Sequence, residues 1–252
     1  MDLGISGKRA VITGGSKGIG RAIALSLAAE GADIALCARG EEALERTRAD
    51  VERAGARCFA QACDVGDEAA YGAFLDAARD DLGGVDIFVS NVSALGAGDS
   101  LEAWQANISL DLMGAVHGTN RVLPWMASAG GGSVVLISSI AGIEAGSTPA
   151  PYAATKSALI SLSKTLAIAH AAEGIRVNVV APGSIEFEGG VWDRARQHNP
   201  ERYERTLARI PEGRMGRPEE VADAVTFLVS GRASWVNGAC LVVDGAQHKA
   251  IF

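Results

Sequence analysis

With 252 residues, 48% hydrophobic but only 5% aromatic, the chain predicts one domain with an aliphatic core. Its net charge of −7 argues against nucleic acid or an anionic membrane as the main partner, since no basic cluster interrupts it. No apolar run reaches the roughly 18 residues needed to span a bilayer. The first residues also lack the charged-then-apolar order of a signal peptide, so a cytoplasmic location is expected.

Arg9–Thr13 reads as the first strand, apolar almost without alternation, as a strand covered on both faces should be. Thr13-Gly-Gly-Ser-Lys-Gly-Ile-Gly20 follows it and opens a helical stretch over Arg21–Glu30. Glycines let backbone turn tightly and approach a pyrophosphate, while a helix N-terminus offers free N–H groups. Gly14, Ser16, Lys17, Gly18, Ile19 and Gly20 are therefore candidates for holding a dinucleotide. The spacing Gly14-x-x-x-Gly18-x-Gly20 is not the common G-x-G-x-x-G, and a plain strand–helix turn could use the same glycines.

The second strand, Asp33–Ala38, ends where an adenosine ribose would lie. A site for NAD places a carboxylate there; this chain has Arg39 and no acid before Glu41. Arg39 offers a planar fork of donors for a 2′-phosphate, and Lys17 adds a second positive charge. The expected cofactor is NADP(H).

Further strands are predicted at Arg57–Gln61, Asp86–Ser90, Ser133–Ser138, Ile175–Ala181 and Cys240–Val243, with helices at Glu41–Ala54 and Ser157–Ala172 among those between them. Repeated strand-then-helix order implies right-handed βαβ units. The expected fold class is α/β: a Rossmann-type doubly wound parallel sheet of about seven strands with helices on both faces. Cys37 and Cys240 fall in strands expected to be buried, Cys58 and Cys63 flank another, and no metal site is expected. The irregular stretch 184–211 could cover a site or be a surface excursion with a short helix.

Tyr152 and Lys156 stand four residues apart, one turn on one helix face, with Ser139 upstream. An ammonium beside a phenol favours the phenolate by about 4 kcal/mol at about 4 Å and an effective dielectric of about 20. Such a phenol can exchange a proton with a substrate oxygen.

Taken together, these motifs resemble the short-chain dehydrogenase/reductase family over nearly the whole chain. The glycine pattern, Asp64-Val65, Ser139 with Tyr152 and Lys156, Pro182-Gly183, Arg214–Val221 and Val243-Asp-Gly245 occur in the family's order and at its spacing. By resemblance, Tyr152 is the acid/base, Ser139 holds the substrate oxygen, and Lys156 binds the nicotinamide ribose. Asp64 accepts from the adenine amino group, Val65 flanks the ring, and Asn91 braces the site. Pro182, Gly183 and Ile185 line the nicotinamide pocket. The resemblance also implies a dimer or tetramer, with the helices around 101–128 and 151–173 at one interface.

Three departures stand out. Ser90-Asn-Val-Ser93 replaces the family's Asn-Asn-Ala-Gly. Asp111 stands where the family has an asparagine that holds a water linking the lysine to solvent; it reads as a substitute in that proton relay, against a purely structural role or Asn107 in its place. Phe187 replaces a threonine that contacts the nicotinamide amide. With Trp192 it suggests an apolar or ring-containing substrate, although both could merely pack the flap. The expected activity is NADP(H)-dependent interconversion of a small-molecule carbonyl and secondary alcohol. The alternatives are 3-oxoacyl-thioester reduction, with Arg194, Arg196, Arg202, Arg205 and Arg209 as a docking patch or as partners of Glu201 and Glu204, and a non-catalytic NADP(H)-binding sensor.

Overall fold

Successive residues of β1 (Arg9–Thr13) face opposite layers: Ala10 and Ile12 enter one apolar cluster, Val11 the other. β2 (Asp33–Ala38) alternates in the same way, with Ile34 and Leu36 opposite Ala35 and Cys37. This two-sided burial explains the near-continuous apolar runs in the sequence. These strands belong to a computed structural model that describes residues 2–95, 98–146 and 148–251. β3 (Cys58–Ala62), β4 (Ile87–Ser90), β5 (Gly132–Ile137), β6 (Ile175–Pro182) and β7 (Cys240–Val243) complete the sheet. It has seven strands in the order β3-β2-β1-β4-β5-β6-β7, each paired parallel to its neighbours.

Helices α1 (Gly18–Ala29), α2 (Glu41–Arg53) and α9 (Pro218–Val229) contribute the helical side of one cluster. On the other face lie α3 (Glu68–Leu82), α5 (Gly114–Ser128) and α6 (Ala150–His170). α3 begins conventionally, with the Asp67 carboxylate accepting from Ala70 N at 3.0 Å. In contrast, α1 has Lys17 at its N-cap, no side-chain cap, and no acid in its first turn. Its first N–H groups are left available.

The strand order reverses between β1 and β4. Open α/β sheets bind ligands in that crevice, beyond the carboxyl ends of the strands. The segments after β1, β4, β5 and β6 converge there.

Two expectations need correction. Cys240 is exposed, because β7 is an edge strand with one side unpaired. The stretch 184–211 holds two helices, α7 (Val191–His198) and α8 (Pro200–Leu207), where at most one short helix was anticipated. Pro200 and the Asn199 side chain, which accepts from Arg202 N at 3.1 Å, start the second.

α9 is anchored by Glu220. Its carboxylate takes two bonds from Arg214, at 2.7 and 2.9 Å, and one from the Arg217 backbone at 2.8 Å. The Arg214 bonds, with the Arg217 N–H and its charge, hold this carboxyl down at about 2. An unfolded glutamate titrates near about 4.3. The stabilisation is therefore complete above that value and disappears as pH falls toward about 2. Glu220→Gln should lower the melting temperature at neutral pH, with the gap to the parent closing across that acid window. A gap that stays constant with pH would rule out the charge as its cause.

Candidate active site

The glycine turn is clasped from three sides. Gly15 N donates to the Cys37 carbonyl at 3.1 Å. Asn91 Nδ2 donates to the carbonyls of Thr13 and Gly14 at 3.2 and 3.1 Å, and Asn91 N donates to Thr13 Oγ1 at 3.1 Å. A side chain at Gly20 would run into the Gly14 carbonyl and lie 2.5 Å from Asn91 Nδ2, so only glycine lets α1 come this close to the turn. Thr13 was not anticipated as a site residue; its hydroxyl ties the ends of β1 and β4, a contact between strands far apart in sequence. The tight turn and the uncapped start of α1 fit the diphosphate of a dinucleotide. Ser16 offers its carbonyl to Thr47 Oγ1 at 3.2 Å, and Ile19 packs on the core.

Lys17 and Arg39 are both exposed. Arg46, Arg48 and Arg53, farther along α2, are paired with carboxylates, whereas Arg39 has no ion pair among the described residues. Asp64 is exposed and turned partly to its own loop, accepting from Gly66 N at 2.9 Å, while Val65 is buried.

On the other side of the crevice, Pro149 and Pro151 start α6. Tyr152, partly exposed, then lies one turn before Lys156, which is only 2% exposed. Lys156 Nζ is 5.6 Å from the Tyr152 ring centroid and donates to the Ile137 carbonyl at 3.0 Å. Ser138 Oγ donates to the Lys156 carbonyl at 2.7 Å, fixing α6 to the end of β5. The next residue, Ser139, accepts from Ala141 N at 3.2 Å, which leaves its hydroxyl hydrogen to donate outward.

Asp111 lies in a π-helical turn (Ile108–Met113) joining α4 (Leu101–Asn107) to α5. Such widened turns recur at functional sites because they re-aim a side chain. Asp111 Oδ1 lies 3.1 Å from Lys156 Nζ, and both side chains are buried. That contact lacks the alignment of a hydrogen bond, so it acts as an ion pair. The other oxygen accepts from Ala94 N at 3.0 Å. Asn107 is directed elsewhere, with Nδ2 on the carbonyl of Ala103 in its own helix. Where the family's glycine is lost, Ser93 Oγ accepts from Leu95 N at 3.2 Å, and the left-handed backbone falls on Leu95 at φ +48°.

The third wall follows β6. Gly183 packs so closely on Asp244 that an added Cβ would lie 2.7 Å from the Asp244 Cβ. Ser184 N donates to Gln247 Oε1 at 2.8 Å, and Gln247 Nε2 returns to Ser184 Oγ at 2.9 Å. Ile185 bridges Gly216. Gln247 carried no local motif, and only the tertiary fold reveals it as a support of this wall. Four of the five arginines expected as a docking patch are engaged, while Arg205 is exposed with no ion pair among the described residues. Arg196 pairs with Glu186 and Asp193, Arg209 lies 3.6 Å from Glu144, and Arg194 donates to the Gly189 carbonyl. Arg202 lies 5.2 Å from the Trp192 ring centroid. Glu201 and Glu204, expected as partners, are not among these contacts.

A family model described as enoyl-(acyl carrier protein) reductase matches residues 14–248. 3beta-hydroxysteroid dehydrogenase 1 of Eggerthella lenta is 38% identical over 250 residues, covering 96% of this chain and 94% of the relative. The solved structure of L-sorbose reductase from Gluconobacter frateurii with NADPH and L-sorbose superposes with a TM-score of 0.91 at 34% identity, covering 100% of both chains. That of a 7 alpha-hydroxysteroid dehydrogenase with NADH and 7-oxo glycochenodeoxycholic acid gives 0.92 at 31%, covering 100% of this chain and 98% of the other.

Proposed function

The chain belongs to the short-chain dehydrogenase/reductase family, and from that premise we propose that it interconverts a small apolar or ring-containing ketone and its secondary alcohol with NADP(H). The observation that carries the reading is the buried Lys156 ammonium one turn from Tyr152, anchored to the end of the strand that presents Ser139. A buried ammonium needs a partner and a purpose. Ser139 Oγ–H directs the substrate oxygen, and the Tyr152 hydroxyl gives that oxygen its proton as the carbonyl is reduced. In the oxidative direction the same hydroxyl receives the proton.

The dinucleotide supplies or accepts the hydride, and the protein positions it. Gly14, Ser16, Gly18, Ile19 and Gly20 would hold its diphosphate, and Lys17 and Arg39 its 2′-phosphate. Asp64 and Val65 would take the adenine, while Asn91, Pro182, Gly183, Ile185 and Lys156 would take the nicotinamide riboside. Relatives crystallised with NADPH and with NADH leave both dinucleotides open at family level; the exposed pair Lys17 and Arg39 favours NADP(H) here. Residues 184–211 would cover the substrate, with Trp192 on α7. The steroid substrates in two relatives' names agree in kind with an apolar ring. The engaged arginines weaken the case for docking an acyl carrier. Assembly into a homo-oligomer is part of the same proposal, supported by exposed Leu101, Ile108 and Ile168 on the helical face expected at an interface.

Asp111 enters as a residue acting through Lys156. Its carboxylate holds the ammonium in place beside the Ile137 carbonyl. Asp111→Ala should lower turnover, and Asp111→Asn, which keeps a polar side chain of the same size, should retain more of it. Parental turnover in both variants would exclude this coupling. The reading as a whole is tested by NADPH oxidation against ketones, cyclic diketones and 3-oxoacyl thioesters. Turnover on ring ketones is the expected outcome; turnover confined to the thioesters would replace the substrate class.

A further inference from the structure

Gly18 opens α1, where the diphosphate needs its backbone N–H groups. That position already has a neighbour. A Cβ added to Gly18 would lie 2.5 Å from Phe187 Cζ and 2.7 and 2.8 Å from its two Cε atoms. The tip of the aromatic ring thus rests on the side of Gly18 that the missing side chain leaves open. Gly190 also borders this ring, with a Cβ there falling 3.1 Å from Cε1 and Cζ.

We infer that Phe187 is a stopper on the diphosphate site, which a dinucleotide must displace before it can reach α1. This rests on the dinucleotide reading proposed above. A ring carbon and a phosphate oxygen cannot share the open face of Gly18, and an apolar ring cannot satisfy the uncapped N–H groups of α1. The device is built to move at one point only. Before the ring, Glu186 N donates to the Gly216 carbonyl and Gly216 N to the Ser184 carbonyl, both at 2.9 Å. Tyr203 holds the Glu186 carboxylate at 3.0 Å. After it, Gly189 N donates to Asp193 Oδ2 and Gly190 N to the Phe187 carbonyl, again at 2.9 Å. Gly189 itself takes φ +70°, and the contacts to Gly18 come from the far end of a side chain that rotation about χ1 would carry away. Trp192, the second residue of α7, follows closely in sequence and can report the movement.

Binding to a form that is open only part of the time lowers the apparent affinity by the open fraction. The test is stopped-flow association of NADPH and, separately, NADH, followed by quenching of tryptophan fluorescence. Phe187→Ala should associate at least about ten-fold faster than the parent with both, for an open population of about 10% or less. Phe187→Trp, which keeps a ring on Gly18, should remain as slow as the parent. If Phe187→Ala does not fold, Phe187→Leu should give an intermediate acceleration. A variant without the ring that associates no faster, or more slowly, overturns the stopper and makes the ring part of the bound cofactor's platform. The two claims separate cleanly, because the stopper acts equally on both dinucleotides. Equal acceleration with a preference for NADH keeps the stopper and removes the NADP(H) assignment. An intact NADPH preference without acceleration does the reverse, and binding of neither dinucleotide removes both.

Discussion

Replacing Tyr152 by Phe is expected to cut turnover by about a hundred- to ten-thousand-fold while leaving NADPH affinity nearly unchanged. The substitution removes one hydroxyl and keeps the ring. Lys156 stays where its bonds hold it, on the Ile137 carbonyl and beside Asp111, so the ribose contact proposed for it persists. Ser139 can still direct the substrate oxygen. What disappears is the proton that neutralises that oxygen as hydride arrives, an interaction made only as charge develops and so paid in turnover rather than in binding. Tyr152 is partly exposed, so little stability is at stake. Steady-state kinetics alongside a binding titration checks both halves. Near-normal turnover in the variant would contradict the assignment of the acid/base.

Arg39→Asp is expected to invert the choice of cofactor. Hydrogen bonds to a charged group contribute about 1.5–3 kcal/mol, roughly ten- to a hundred-fold in affinity for NADPH. The new carboxylate also repels a 2′-phosphate and can accept from a 2′-hydroxyl, which raises NADH use. The combined change in the NADPH/NADH ratio of kcat/KM is about a hundred-fold or more at low salt, smaller as salt screens this exposed position. Lys17 remains, so some affinity for the phosphate survives. Equal use of both dinucleotides by the parent would remove the basis of the claim.

Much of this molecule can be read before its structure is seen, and β1 and β2 show why. Strands buried on both faces must be apolar throughout, so they announce themselves locally, and a glycine turn between strand and helix marks its own place. The Tyr152–Lys156 spacing is equally local, one turn of one helix. Asp111 is readable as a departure, but its ion pair with Lys156 depends on a widened helical turn that the sequence does not display. Thr13, Gln247 and the Phe187–Gly18 contact are invisible for the same reason: each joins segments brought together only by the sheet order. The arginines after β6 mislead, because Glu201 and Glu204 stand close by in sequence, whereas Arg196 takes Asp193 on its own helix together with Glu186, and the fold brings the remote Glu144 to Arg209.

The most direct test of the account is steady-state turnover of the unmodified protein with NADPH and a panel of ring ketones, run in both directions with NADP and the matching alcohols. The account predicts turnover on ring ketones, with NADPH preferred to NADH. Tight NADPH binding with no turnover on any carbonyl or alcohol in either direction would contradict it, and would leave a protein that binds the dinucleotide without performing the chemistry.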